Sequence, residues 1–499
     1  MTHNSPAAAA PQSGVEPLSA QTRLALVLLL AAAFVVFLNE TTMSVAIPEI
    51  MDDLEVTPAL GQWLTTAFAL TMAVVIPITG WLLQRLNTRP VFILAMVLFT
   101  AGTLLAAVAP TFGLLVAARV VQAVGTAAMM PLMMTSVLSL VPMNSRGRIM
   151  GRVSIVMSMA PAIGPMVAGL ILAVTTWRGI FWVMLPIALA MLAVGIARVP
   201  NVSEPRAVPV DVLSVILSAF AFSGIVYGLS SFGEAAESEV AVAPWIPLAI
   251  GLAFLAAFIT RQIVLQRADR ALLDLRTFRS RTFTVSISML AIATVALFGM
   301  VIVLPIYTAR VLGLEAVQTG LILLPGGLLM GLMGPIVGRL YDRVGPRPLV
   351  IPGGIIVSVV FWALTLISTD TPVGLLVAAH VALSVGLALL FTPLFTSGLG
   401  ALPPHLYSHG SATVMTIQQV AGAAGAALFI TFLTIGTIAT GAADPNLATP
   451  EELAIGVRLA FVTGAIVSLA LIPAAFLVQK PAQPELTDAE LEARAPAPH

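Results

Sequence analysis

Uniformly apolar runs follow one another along nearly the whole chain, at 24–46, 59–83, 90–109, 112–136, 149–172, 177–197 and 210–230. A second set occupies 243–263, 283–306, 316–338, 348–367, 372–395, 411–434 and 456–478. Each is long enough to cross a hydrocarbon core of roughly 30 Å as a helix. Lipid cannot satisfy free backbone groups, so helices or a closed barrel are the spanning options. Barrel strands alternate apolar and polar residues, and these runs do not alternate. The pattern predicts an all-α integral membrane protein of about 14 transmembrane helices.

Composition agrees. Of 499 residues 59% are hydrophobic and 9% charged, against about 25% charged in a soluble globular protein. Net charge is zero, which argues against a nucleic-acid partner. Cysteine is absent, excluding disulfides, thiolate catalysis and cysteine-ligated metal. No metal-ligand cluster, phosphate-binding loop or hydrolytic triad is visible, and the loops are short. The expectation is therefore no cofactor, no metal and no enzyme activity, with transport drawing on an ion gradient or the solute's own gradient. The first 23 residues, rich in Pro, Ser and Gln, read as a polar tail and not as a secretory signal.

Basic residues favour cytoplasmic loops. Arg85, Arg89, Arg146, Arg148, Arg152, Arg198 and Arg206 fall on one side, with Arg261, Arg267, Arg270, Arg276, Arg279, Arg281, Arg339, Arg343 and Arg347. The opposite side carries Arg178, Arg310 and Arg458, and is acidic: Glu49, Asp52, Asp53, Glu55, Glu234, Glu237, Glu239, Asp444, Glu451 and Glu452. This sorting predicts a multi-pass protein of the cytoplasmic membrane with both termini in the cytoplasm. The long basic loop divides the chain: tail 1–23, six-helix bundle 24–200, inserted two-helix hairpin 210–263, linker 264–282, second six-helix bundle 283–478 and tail 479–499. GWLLQRLNTRP (80–90) is echoed by GRLYDRVGPRP (338–348) at the same place in the second half. Transporters built from such repeats bind substrate near the midplane between the halves.

With these two segments, LNETTMSVAIP (38–48), QWLTTAFAL (62–70), RVVQAVGTAAMMP (119–131), APAIGPMVAG (160–169), WRGIFWVMLPI (177–187) and LLDLRTFRSRTF (272–283) stand in an ordered series. In this the chain resembles the fourteen-helix drug:proton antiporter branch of the major facilitator superfamily, over roughly residues 24 to 478. The resemblance implies export of small amphipathic compounds (drugs, antibiotics, toxic organic cations) against protons by alternating access. It also implies that the first and fourth helices face one central cavity. The chain departs from the family pattern where Asn39 stands for the first-helix acid with Glu40 beside it, where Gln84 stands for the acid of the first loop motif, and at Ala123.

Glu40 is a carboxylate inside a span, six residues before the outer end of the first run and so roughly 9 Å deep at 1.5 Å per residue. A charge at the bilayer centre costs at least about 2.5–3.5 kcal/mol, which makes such an acid a functional candidate. Arg119, at a matching depth of roughly 10 Å in the fourth helix, is its natural partner, and a structural arginine bonded to backbone carbonyls is the alternative. Proton coupling is expected at this pair. Gln122, Thr126, Met129 and Met133 continue the fourth-helix stripe, as a cavity wall or as packing. Asn39, Trp63, Phe298, Gln418 and Gln419 are further cavity candidates. In the fifth helix Pro161 and Pro165 remove backbone donors, while Gly164, Ala168 and Gly169 allow close helix approach. The resemblance makes this segment an antiporter seal. Gly80, Arg85, Arg89, Gly338, Asp342, Arg343, Gly345 and Arg347 form two basic turns expected to latch one conformation. Asp342 would bond the amides of the following helix, and the Gln84 copy should be the weaker one. His380 is a possible pH-responsive group or a satisfied bundle histidine.

The expected partners are a small amphipathic substrate, protons and membrane lipid, with each chain working as a monomer. A dedicated metabolite exporter or a proton symporter of the same fold is the alternative reading. A non-transporting receptor or scaffold is more remote, and a membrane-embedded enzyme more remote still.

Overall fold

The computed structural model describes residues 19–201, 205, 209–237, 242–441 and 447–481. The loop charges Arg206, Glu239 and Asp444, and the side chains of Glu234 and Glu237, lie outside what is described. The first six long helices are α1 (Ala20–Asp53), α2 (Trp63–Arg85), α3 (Thr88–Ala107), α4 (Phe112–Leu140), α5 (Arg146–Leu172) and α6 (Trp177–Arg198). A hairpin of α7 (Val212–Glu237) and α8 (Trp245–Leu265) follows. The last six are α9 (Arg281–Arg310), α10 (Ala316–Val344), α11 (Arg347–Leu364), α12 (Val373–Gly400), α13 (Tyr407–Ile438) and α14 (Pro450–Leu469). All fourteen lie in segments long and apolar enough to cross a membrane.

Local chemistry sets many of the ends. Thr111 and Ser280 cap α4 and α9 by accepting from Leu114 N–H and Phe283 N–H, and Thr449 with Glu452 forms a capping box on α14. Gly345 ends α10 at φ +79°, a conformation open to glycine alone at this ψ. Pro48 does not stop α1, which runs on to Asp53. Glu40 is therefore thirteen residues from the helix end, roughly 20 Å and not 9 Å. The extra turns have a purpose in packing. Glu49 accepts from Trp177 N–H at 3.0 Å, and Asp53 accepts from Trp177 Nε1 and Arg178 at 3.0 and 2.7 Å, so acids of α1 cap the start of α6.

The two halves repeat one another in packing as well as in sequence. In the first, α1 packs on α4, α5 and α6, α2 on α4, and α3 on α4 and α6. In the second, α9 packs on α12, α13 and α14, α10 on α12, and α11 on α12 and α14. The halves meet along two seams, α5 against α10 and α2 against α13. The hairpin lies over the second seam, with α7 touching both α2 and α13. Its arginine-rich end is pinned: Arg261 grips Asp211 through two 2.6 Å bonds. That guanidinium holds the Asp211 carboxyl well below the usual carboxylate range. Gln262, fully buried, accepts from Leu272 N–H and Leu273 N–H at 2.8 and 3.2 Å. The linker is thereby docked and not free.

Candidate functional site

Glu40 on α1 and Arg119 on α4 lie close enough to interact electrostatically. Arg119 is 1% exposed, yet no ion pair closes between them among the described residues. Its guanidinium is held elsewhere: it lies 4.2 Å over the Phe68 ring, Nε donates to Leu64 O at 3.5 Å, and Nη1 donates to Gln122 Oε1 at 3.1 Å. Gln122, itself fully buried, then donates to Asn39 Oδ1 at 3.2 Å and to Thr103 Oγ1 at 2.9 Å. A polar network thus ties α1, α2, α3 and α4 together inside the first bundle.

Two buried atoms in and beside this network have no hydrogen-bond partner: Asn39 Nδ2 and Glu40 Oε2. Unpaired buried polar atoms are costly, and native proteins keep them where a function uses them. Asn39 and Glu40 are a hundred degrees apart on the helix. Asn39 accordingly points into the bundle at 1% exposure, while Glu40 is only half-buried. Thr103 and Phe68 were not evident in the sequence; Gly102 was the available signal. A Cβ there would lie 2.6 Å from Gln122 Cγ, so glycine is what lets α3 come close enough for Thr103 to be reached.

The remaining cavity candidates scatter. Thr126 donates to Gln122 O of its own helix at 3.0 Å, and Thr126, Met129 and Met133 are fully buried in the packing of the first bundle. The methionine stripe is thus core and does not line open space. Trp63 is exposed and lies against Tyr227 of the hairpin, ring centroids 6.3 Å apart. Phe298 is exposed beside Gly422 of α13, and Gln418 and Gln419 are half-buried on that helix. In α5, Gly164 sits against Thr41 of α1, whose hydroxyl a Cβ would meet at 2.0 Å. Gly169 is exposed with open space beside it, so it serves no close approach, contrary to expectation. Pro161 and Pro165 lie within continuous helix. His380 is buried on α12 against Gly326 of α10, with Nδ1 unpartnered.

The two basic turns behave differently. Asp342 does not cap the following helix. Its carboxylate accepts from Gly147 N–H and Arg148 N–H at 2.8 and 2.9 Å, capping α5 of the other half. Glycines make this possible: a Cβ on Gly338 would stand 2.0 Å from Gly147 O, and one on Gly334 2.4 Å from Gly151 O. The α10 end thus rests directly on the α5 start. At the α2–α13 seam, Gly80 faces Ala412 and His409, and Gln84 donates one 3.3 Å bond to His405 O. Arg85 lies 5.6 Å over Trp81, and Arg89 bonds Asn201 and Ile196 O within the first half. Arg347 donates to Val478 O at 3.0 Å, and Arg343 is exposed in the last turn of α10. Further bonds across the halves, Ser154 with Thr392, Thr135 with Ser411 and Arg146 with Tyr407, also lie in the arginine-rich half.

Comparison with known proteins fits this architecture. The chain is 38% identical to the MFS-type transporter YcnB of Bacillus subtilis (strain 168), over 92% of this chain and 95% of that one. It is 36% identical to the lincomycin resistance protein LmrB of the same organism, over 91% and 95%. The structure of the human organic anion transporter MFSD10 (TETRAN) superimposes with a TM-score of 0.65 at 16% identity, covering 92% of this chain and 99% of that one, a likeness of fold. The model of the Major Facilitator Superfamily matches residues 29–426, and the chain, with its two repeated six-helix bundles, belongs to that family.

Proposed function

We propose that this protein exports small amphipathic compounds across the cytoplasmic membrane in exchange for protons, with Glu40 as the proton-carrying carboxylate and Arg119 as its modulator. One observation carries the reading: a half-buried carboxylate whose Oε2 is unpartnered, beside a buried guanidinium committed to other partners. A group so placed has no fixed neutraliser, so a proton or a cationic solute can take the position in turn. Competition for one carboxylate couples the two binding free energies. Each inward proton brings about 1.4 kcal/mol per pH unit and about 2.3 kcal/mol per 100 mV. The similarity to a lincomycin resistance protein supports antibiotics as one substrate class.

The arginine-rich end is assigned to the cytoplasm, with both termini there. The bonded seams then correspond to a state shut toward the cytoplasm, and their opening to the other half of an alternating-access cycle. Each chain encloses its own pathway, so a monomer suffices, and no cofactor enters. The test uses inverted membrane vesicles with an internal-pH dye and a panel of antibiotics and lipophilic cations. Native protein should dissipate the imposed gradient on addition of substrate. Glu40→Gln should not, while remaining folded in the membrane. Full exchange by Glu40→Gln would remove Glu40 from the mechanism.

A further inference from the structure

At the arginine-rich end a narrow cleft, partly open to solvent, lies where the two halves meet. Asn144 and Arg146 line it from the first half, and Tyr341, Thr396, Gly400 and Lys480 from the second. Arg146 is 7% exposed. Its Nε donates to Val141 O at 3.0 Å, and Nη2 donates to Leu138 O and Tyr407 Oη at 2.6 and 3.1 Å. Nη1 is buried without any partner, and it faces the cleft wall: a Cβ on Gly400 would stand 3.8 Å from it. None of these partners is negatively charged. A buried charge normally has a counter-charge or is strongly disfavoured.

The nearby carboxylate, Asp342, closes no ion pair with Arg146 or Lys480 among the described residues. Both oxygens of Asp342 are occupied by the amides of Gly147 and Arg148. Lys480, the lone lysine of the sequence, stands on the opposite wall, and its Nζ reaches only a backbone oxygen, Asp342 O, at 3.4 Å. The Asn144 carbonyl accepts from Ser145 Oγ at 3.2 Å, leaving its amide as a donor. The tyrosine hydroxyl is paired with Ser397, and the threonine hydroxyl donates to Thr392 O. The cleft is therefore lined by a guanidinium, an ammonium and an amide, none of which closes an ion pair among the described residues. An oxyanion with several oxygens is the complement of such a set.

We propose that this cleft binds a phosphate-type oxyanion, borne by a lipid headgroup or free in solution, that bridges Arg146 of one half to Lys480 of the other. The ligand would fasten the closed end by a contact independent of Glu40 and of any transported solute. The inference does not rest on the transport reading.

The test uses the full chain in nanodiscs. In neutral phosphatidylcholine discs, inorganic phosphate is titrated against chloride at equal ionic strength, and melting temperature is read. A parallel arm compares phosphatidylglycerol with phosphatidylcholine discs without phosphate. Saturable stabilisation in the first arm assigns free phosphate, and in the second the headgroup; either supports the site. Lys480→Gln, at an exposed residue, should weaken the apparent affinity about tenfold, the loss of one charge-assisted contact. Arg146→Gln should abolish it, although that variant also releases the end of α4, so Lys480→Gln decides. An effect matched by chloride, absent in both arms, or unchanged by Lys480→Gln overturns the proposal.

Discussion

Gly151→Ala is the most direct probe of the α5–α10 seam. A Cβ at this position would stand 2.2 Å from Gly334 O and 2.7 Å from its carbonyl carbon. Both obstacles are backbone inside long helices, so no side chain can swing aside. Ordinary contact needs about 3.5 Å, so the crossing must widen by about 1 Å. That movement also lifts Asp342 from the two amides it holds at 2.8 and 2.9 Å. Overpacking of this kind costs about 1–3 kcal/mol, which shifts a two-state equilibrium about 5- to 150-fold away from the closed arrangement. The natural chain has no cysteine, so spin labels on cysteines replacing the exposed Arg152 and Arg339 report without background. Gly151→Ala should move the inter-label distance distribution to longer values. Asp342→Asn, which keeps the glycine contact and spoils one acceptor, should move it less and in the same direction. Gly338→Ala repeats the test from the opposing helix. Distributions superimposable on the native one in the glycine variants would refute the claim that backbone contact sets this seam.

Three further outcomes follow from buried contacts. Gln122→Leu strips one partner each from Arg119, Asn39 and Thr103, and should destabilise by about 1–3 kcal/mol, read as a lowered melting temperature in detergent. Gly345→Ala forces a side chain into a φ of +79° and should cost about 1–3 kcal/mol, checked by the same melt. For Asp211→Asn the effect depends on pH. The folded carboxyl titrates lower than the unfolded one because Arg261 holds it ionised, so its stabilisation is present above the unfolded value of about 3.9. It is lost as pH falls further through the depressed folded value. The native-minus-variant difference in melting temperature should be positive at pH 7 and shrink on acidification below pH 4; a constant difference would contradict this.

The spans were legible because lipid imposes an apolar run of fixed length, whereas the pairing of α1 with α4 came from the family resemblance alone. What escaped the sequence was direction. A membrane helix apolar on all sides carries no stripe to show which face is packed, so Met129 and Met133 could be read as cavity wall or as packing alike. The same blindness hid Thr103 and Phe68 as partners of the Gln122–Arg119 network. Asp342 was recognisable as a cap, but its recipient was not. Local reasoning pointed to the helix that follows, whereas the glycine crossing delivers the amides of a helix almost two hundred residues earlier. The end of α1 was placed too early for a related reason: the helix continues past its apolar run to Asp53, where Glu49 and Asp53 bond the start of α6.

The hairpin gives the molecule a left and a right. Its two halves are alike, yet α7 and α8 sheathe only the α2–α13 side. On the other side Leu332, Ile336 and Leu340 of α10 remain uncovered. One joint is therefore open along its outer face while its counterpart is covered by protein. In the proposed alternating-access cycle, bilayer thickness or headgroup composition would act on the first joint and hardly reach the second.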